Sequence, residues 1–158
     1  MKRVKTVLDA NDSKIIAALM ANARATWAEL GVLLGLSAPA AAERVRKLEE
    51  RHVVRGYAAL VDPDAVGCGF AAFVAVTLER PEHRAPFLAK VAALPEILEC
   101  HHAAGDDDYI LKIRCAGPRH LERLVSDELK ALPGLVRTRT TVILSTVKET
   151  PVLPLGRG

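Results

Sequence analysis

The sequence contains no uncharged apolar run approaching the roughly 18 residues of a membrane span, and Met1 is followed by Lys2, Arg3 and Lys5 rather than by an apolar stretch. Neither a transmembrane segment nor a secretory signal is expected. Cysteine is scarce: Cys68, Cys100 and Cys115 form no close pair and no metal-type spacing. They read as small buried residues in a reducing cytoplasm. A Gly-rich phosphate loop is missing, as is a local signature of nucleophile, base and orienting residue. The chain is therefore not expected to be an enzyme, nor to carry a cofactor or a metal.

What is present is a globular composition. Of 158 residues, 50% are hydrophobic and 26% charged, enough apolar content for one domain or two small ones and too much for a disordered chain. The net charge of +3 is small, but its distribution is uneven. Residues 1–60 carry ten basic and six acidic side chains, and the remainder twelve and thirteen. A basic amino-terminal third points to a polyanionic partner there.

Three helical patterns fill the first 52 residues. Between Leu8 and Asn22, Ile15, Ile16, Leu19 and Met20 recur on one face, with Asp9 or Asp12 available as an N-cap. Thr26 can cap a second, short helix carrying Leu30, Leu33 and Leu34, which Gly35 ends in a turn. Ser37 caps a third, with Pro39 in its first turn, where a missing N–H costs nothing. On it Ala41, Val45 and Leu48 share one face, while Glu43, Arg44, Arg46 and Lys47 point elsewhere. Two short helices joined by a tight turn, the second with cations outward, outline a helix-turn-helix. Residues 53–61 read as β-type sequence, a wing and a bridge. Asp62-Pro63-Asp64 and Gly67-Cys68-Gly69 mark a junction. The expected division is a winged helix-turn-helix over 1–61, a linker over 62–68 and a second domain over 69–158.

That second domain alternates strand and helix signals: strands over 70–78, 97–104, 109–115 and 135–147, helices over 86–94 and 118–132. The acidic turn Gly105-Asp106-Asp107-Asp108 joins the middle strands. Ala93-Leu94-Pro95-Glu96-Ile97 recurs as Ala131-Leu132-Pro133-Gly134-Leu135, each copy placed where a helix must stop and a strand begin. The order is the ferredoxin-like βαββαβ plan, giving an α+β chain overall. The first strand is apolar on both faces, from Phe70, Ala72, Val74 and Val76 to Ala71, Phe73 and Ala75. Two helices cover only one side of such a sheet, so the other is expected against a second copy, unless its alanines simply tolerate water.

Taken in order, Leu8-Asp9-Ala10-Asn11-Asp12, Gly35-Leu36-Ser37, Glu43 to Glu49, Val54 to Tyr57, Glu99-Cys100-His101, Gly105-Asp106 with Asp108-Tyr109, Leu132-Pro133-Gly134 and Arg137 to Thr140 resemble the Lrp/AsnC family of feast/famine transcriptional regulators. The resemblance runs from Leu8 to about Lys148. It implies binding of double-stranded promoter DNA, a homodimer formed by the second domain that often assembles to an octamer, and a small-molecule effector, commonly an amino acid, held between subunits near the loop joining strands two and three. No membrane partner is implied, and the location is the cytoplasm.

DNA contact is expected from the helix after Ser37. Ser37, Ala38, Pro39, Ala40 and Glu43 lie toward its groove-facing start, and Arg44, Arg46 and Lys47 can pair with phosphates or bases. Small apolar tips at that start predict modest base specificity, supplemented by DNA deformation. The effector is expected at Gly105, Asp106, Asp107, Asp108, Thr138, Thr140 and Thr141. Carboxylates there can hold an α-ammonium group, and hydroxyls and turn N–H groups an α-carboxylate. Thr138 and Thr140 share one strand face, Thr141 the other. A merely solvated turn and ordinary strand threonines are the alternative. The family commonly has an aromatic where Asp107 stands, so a cationic ligand, a metal ion or no ligand is favoured over leucine. Cys100-His101-His102 offers only two converging groups, too few for a metal shell. Two other functions fit the same plan: a haem-biosynthesis decarboxylase-like enzyme using His101 and His102, and an architectural DNA-binding protein without an effector.

Overall fold

Helix α1, Ala10–Ala21, opens the part of the chain described by a computed structural model, residues 7–155. Asp9 and Asp12 cap it reciprocally: the Asp12 N–H donates to the Asp9 carboxylate at 2.7 Å, and the Asp9 N–H to the Asp12 carboxylate at 3.4 Å. Both aspartates offered by the sequence are thus used, which satisfies two donors that every helix start leaves over. Thr26 and Glu29 repeat the device for α2, Trp27–Leu34. That helix ends at Gly35 with φ +66°, the left-handed conformation a glycine adopts without penalty. Gly31 is needed for a different reason: a Cβ there would stand 2.8 Å from the Leu36 carbonyl oxygen. The turn into α3, Ala38–Glu50, is therefore set by two glycines. Ile15, Leu19, Leu30, Ala41, Val45 and Leu48 form the buried core of this helical unit.

The expected wing is absent. Residues 53–61 form no strand, and after α3 the backbone N–H groups of Val53 and Val54 both turn back to the Leu48 carbonyl. β-prone residues without a partner strand stay merely extended. Tyr57 donates its hydroxyl to Glu49 at 2.8 Å, and partial burial beside that carboxylate pushes its pKa up to about 12.

By contact, residues up to Ala59 group with those from Lys148 onward, and Leu60–Val147 forms the second unit. The latter contains β1 (Phe70–Leu78), α4 (Arg84–Ala93, led in by a 3-10 turn), β2 (Ile97–His102), β3 (Tyr109–Cys115), α5 (Pro118–Arg123) and β4 (Leu135–Val142). The sheet is antiparallel with order β2-β3-β1-β4, the ferredoxin-like arrangement. Helices α4 and α5 cover one face, where Val74, Val76, Phe87, Leu111, Ile113 and Leu129 form the centre of the core.

Several expected boundaries shift. The second strand stops at His102 rather than residue 104, and α4 starts two residues early. Helix α5 is α-helical only over Pro118–Arg123 and then widens into a π-helical turn, Leu124–Leu129, short of residue 132. That turn leaves Leu121, Leu124, Val125 and Leu129 all buried. Strand β4 stops at Val142, not residue 147, because Ala72 pairs with Val142 and β1 begins only two residues earlier. Cys115 is buried as expected, but Cys68 and Cys100 are half-buried. On the helix-free face Phe73 remains 42% exposed, with Ala75 and Ile110 beside it.

Candidate nucleic-acid interface and effector turn

The Ser37 hydroxyl accepts the Ala40 N–H at 3.4 Å and so caps α3, with Pro39 in the first turn. Ala41, Val45 and Leu48 face inward, which leaves Pro39, Ala40, Glu43, Arg46, Lys47 and Glu50 exposed; Ala38 is half-buried. Arg44 departs from this outward set. Its guanidinium donates to Asp9 at 2.9 Å and to Asp12 at 3.1 Å, turning back onto the start of α1. Arg51 lies 3.6 Å from the same Asp12, whose residue is only 7% exposed. The Asp12 N–H and then Arg44 hold the Asp9 carboxyl below its ordinary value. Arg44 thus braces α1 against α3.

The outward charges are paired with one another. Arg46 donates through Nε and Nη2 to Glu43, at 2.8 and 2.6 Å, and through Nη1 to Glu50. Lys47 Nζ lies 3.6 Å from Glu43. Hydrogen bonding from Arg46 holds the Glu43 carboxyl low. An open cleft of about 440 Å³ runs beside this stripe, lined by Trp27, Pro39, Ala42, Glu43, Arg46 and Glu49. Trp27 is a residue the sequence did not single out. Standing three before Leu30, it reads as core, yet it is 47% exposed. Lys14, Arg24 and Arg55 are exposed cations of the same unit that were likewise passed over.

In the sheet unit, the turn between β2 and β3 is strapped down by its aspartates. Asp108 accepts the Leu78 N–H at 2.7 Å. The Asp107 side chain, 6% exposed, accepts from Thr77 Oγ1 at 3.2 Å, from Arg137 at 3.0 Å and from Arg139 at 2.5 Å. Burial favours its protonated form, but Thr77 and the two guanidiniums outweigh that and hold the carboxyl below its usual value. The extra negative charge anticipated at Asp107 is therefore offset by cations 30 and 32 positions away. Asp106 is exposed, and its carbonyl accepts from Arg137 at 3.2 Å.

Register separates the threonines. Thr138 and Thr140 lie opposite Val76 and Val74, on the helix-covered side, whereas Thr141 lies opposite Phe73 on the open side. What gathers at Asp107 is Thr77, Arg137 and Arg139, not the threonines of β4. His101 contacts Glu99 at 3.0 Å, and His102 stacks on Tyr109 with ring centres 5.1 Å apart. Burial raises the Cys100 thiol pKa, which disfavours the thiolate a metal needs. Among the described residues no group of three or more His, Cys, Asp or Glu is placed to hold a metal ion, and no helix is long and apolar enough to cross a membrane.

Known proteins share both units in the same order. Residues 8–49 match the AsnC-type helix-turn-helix domain and residues 71–153 the Lrp/AsnC ligand binding domain. The leucine-responsive regulatory protein of Haemophilus influenzae is 38% identical over 98% of this chain and 94% of its own. The HTH-type transcriptional regulator LrpA of Mycobacterium tuberculosis is 40% identical over 88% of this chain and 91% of its own. Among solved structures, a transcriptional regulator of Neisseria meningitidis in complex with L-Met superposes with a TM-score of 0.88 at 33% identity, covering 94% of this chain and 97% of that one. A feast or famine regulatory protein of M. tuberculosis complexed with L-methionine gives 0.85 at 37% identity, covering 93% and 99%. With both of its units matched and relatives of this similarity along almost its whole length, the chain belongs to the Lrp/AsnC family of transcriptional regulators.

Proposed function

We propose that this protein is a sequence-specific regulator that binds double-stranded promoter DNA in the cytoplasm through α3, with an affinity modulated by an amino acid. The observation that carries the reading is α3 itself. It is capped by Ser37, braced to α1 by Arg44, and turned so that Pro39, Ala40, Glu43, Arg46 and Lys47 face outward. The second of two helices joined by a tight glycine turn is the one that usually enters the groove, and α3 follows α2 across Gly35 in that position.

The helix-free face of the sheet supports a homodimer. An antiparallel sheet can leave one face to water, but exposed Phe73 and Ile110 beside Ala71 and Ala75 favour cover by a second copy. A two-fold pair presents two copies of α3 to successive half-sites, and an octamer is the larger assembly that a mass measurement separates from it.

The turn Gly105–Asp108, with Thr138, Thr140 and Thr141 on the strand beyond, is the proposed effector contact. Two relatives of closely similar fold have structures with L-methionine, which supports an amino acid as the ligand class. Because Arg137 and Arg139 occupy Asp107, the carboxylates offered to an α-ammonium group are exposed Asp106 and the Asp108 oxygen that the Leu78 N–H does not take. Shift assays on promoter DNA, with and without each amino acid, test the whole reading. Binding that changes with one class of amino acid is expected; no binding to any promoter duplex would overturn it.

A further inference from the structure

Glu43 stands at the middle of the outward stripe of α3. At about 100° per residue it lies opposite the inward trio Ala41, Val45 and Leu48, with Arg46 and Lys47 on either side and Glu50 two turns further on. Both cations converge on its carboxylate, Arg46 by a two-bonded fork and Lys47 at 3.6 Å. Arg46 is also shared with Glu50. The four charges of the stripe cancel, and Arg44 is engaged with α1.

A helix that bound DNA by charge alone would be weakened by a central carboxylate. An ionised carboxylate only accepts hydrogen bonds, so it is repelled by phosphates and by the O6 and N7 acceptors of guanine. In the major groove an exocyclic amine satisfies it, above all N4 of cytosine. Entering the groove elsewhere leaves Glu43 either still bound to Arg46 or desolvated without a donor, and both outcomes cost affinity.

We propose that Glu43 is a specificity-determining residue of the recognition helix, selecting a cytosine amino group and releasing Arg46 and Lys47 to the partner guanine and the flanking phosphates only where that base is present. In the exchange Glu43 gives up two donors from Arg46 and gains one from N4, water supplying the other; Arg46 and Lys47 find acceptors on DNA, and exposed Glu50 returns to water. This rests on α3 being the groove-entering helix.

The test is selection of bound duplexes from a random-sequence pool by the full chain, its Glu43→Ala variant and its Lys47→Ala variant, with anisotropy titrations of each. Both side chains are exposed, and circular dichroism verifies that the variants remain folded. The parent pool is expected to show a C·G pair at one position of each half-site. Glu43→Ala should lose that enrichment, keep the remainder of the motif, and reduce discrimination at that position about 5-fold or more. It should also bind random duplex more tightly than the parent. If Glu43→Ala retains the C·G preference while Lys47→Ala weakens binding, the role given to Glu43 is wrong and the helix assignment stands. If neither variant changes affinity or motif, α3 is not the contacting helix.

Discussion

Arg44 on α3 donates to Asp12 on α1 at 3.1 Å, a contact between residues 32 positions apart. Asp12 also completes the cap of α1 and is one of two acidic residues buried among those described. A charge removed from water needs its partners, so the geometry of α3 depends on this contact.

Arg44→Ala should lower the thermal midpoint of the helical unit by roughly 5 °C, as expected for losing a partly exposed charged contact in a unit of that size. The slope of log affinity for DNA against log salt should stay unchanged, because no phosphate contact is lost. A variant of unchanged stability whose slope falls by about one would place Arg44 on a phosphate instead.

Gly31→Ala sets two effects against each other. Helix propensity alone would stabilise the variant by about 1 kcal/mol. The new Cβ, 2.8 Å from the Leu36 carbonyl, instead forces the α2–α3 turn apart, and overpacking of this kind costs about 1–3 kcal/mol. Net destabilisation in urea titration is expected, together with weaker DNA binding.

Asp107→Asn should reveal a pH-dependent strap. Burial opposes ionisation, yet Thr77, Arg137 and Arg139 hold the folded carboxyl below its ordinary value. A depressed carboxyl pKa contributes stability that is fully present above the unfolded-state value near 4 and is lost as pH falls through the folded one. The variant should be less stable than the parent at pH 7, with the gap closing below about pH 4. A gap that is constant from pH 7 to pH 3 would show that the ion pairs contribute nothing.

Phe73→Asp places a charge on the open face of the sheet, where Phe73 pairs with Lys112 on one side and Thr141 on the other. Light scattering should report a fall from a multiple of the 17.0 kDa chain to a single one, with the circular dichroism spectrum retained. An unchanged mass would move the dimer interface elsewhere.

Features governed by neighbours in sequence could be read directly. Thr26 and Ser37 cap their helices, Ala41, Val45 and Leu48 face inward, and β1 and β3 have the bounds their residue types suggest. What escaped depends on distant partners. Nothing near Arg44 shows that it serves α1, and nothing near Asp107 reveals Arg137 and Arg139. The end of β4 follows from where β1 starts, a property of register rather than of Ile143 or Leu144. Residues 53–61 have strand-forming side chains but no strand beside them, and Trp27 sits on a core-like spacing while staying half open.

The duplicated Ala-Leu-Pro joint gives the sheet unit an internal control. Leu94 and Leu132 each donate to the carbonyl three residues back, and each accepts from the residue three ahead, Ile97 and Leu135. One bonding scheme thus closes both halves, so Pro95→Ala and Pro133→Ala ought to perturb hydrogen exchange at their own joints to a similar degree. Any inequality between these twins would measure what the surroundings, rather than the shared backbone pattern, add at each corner.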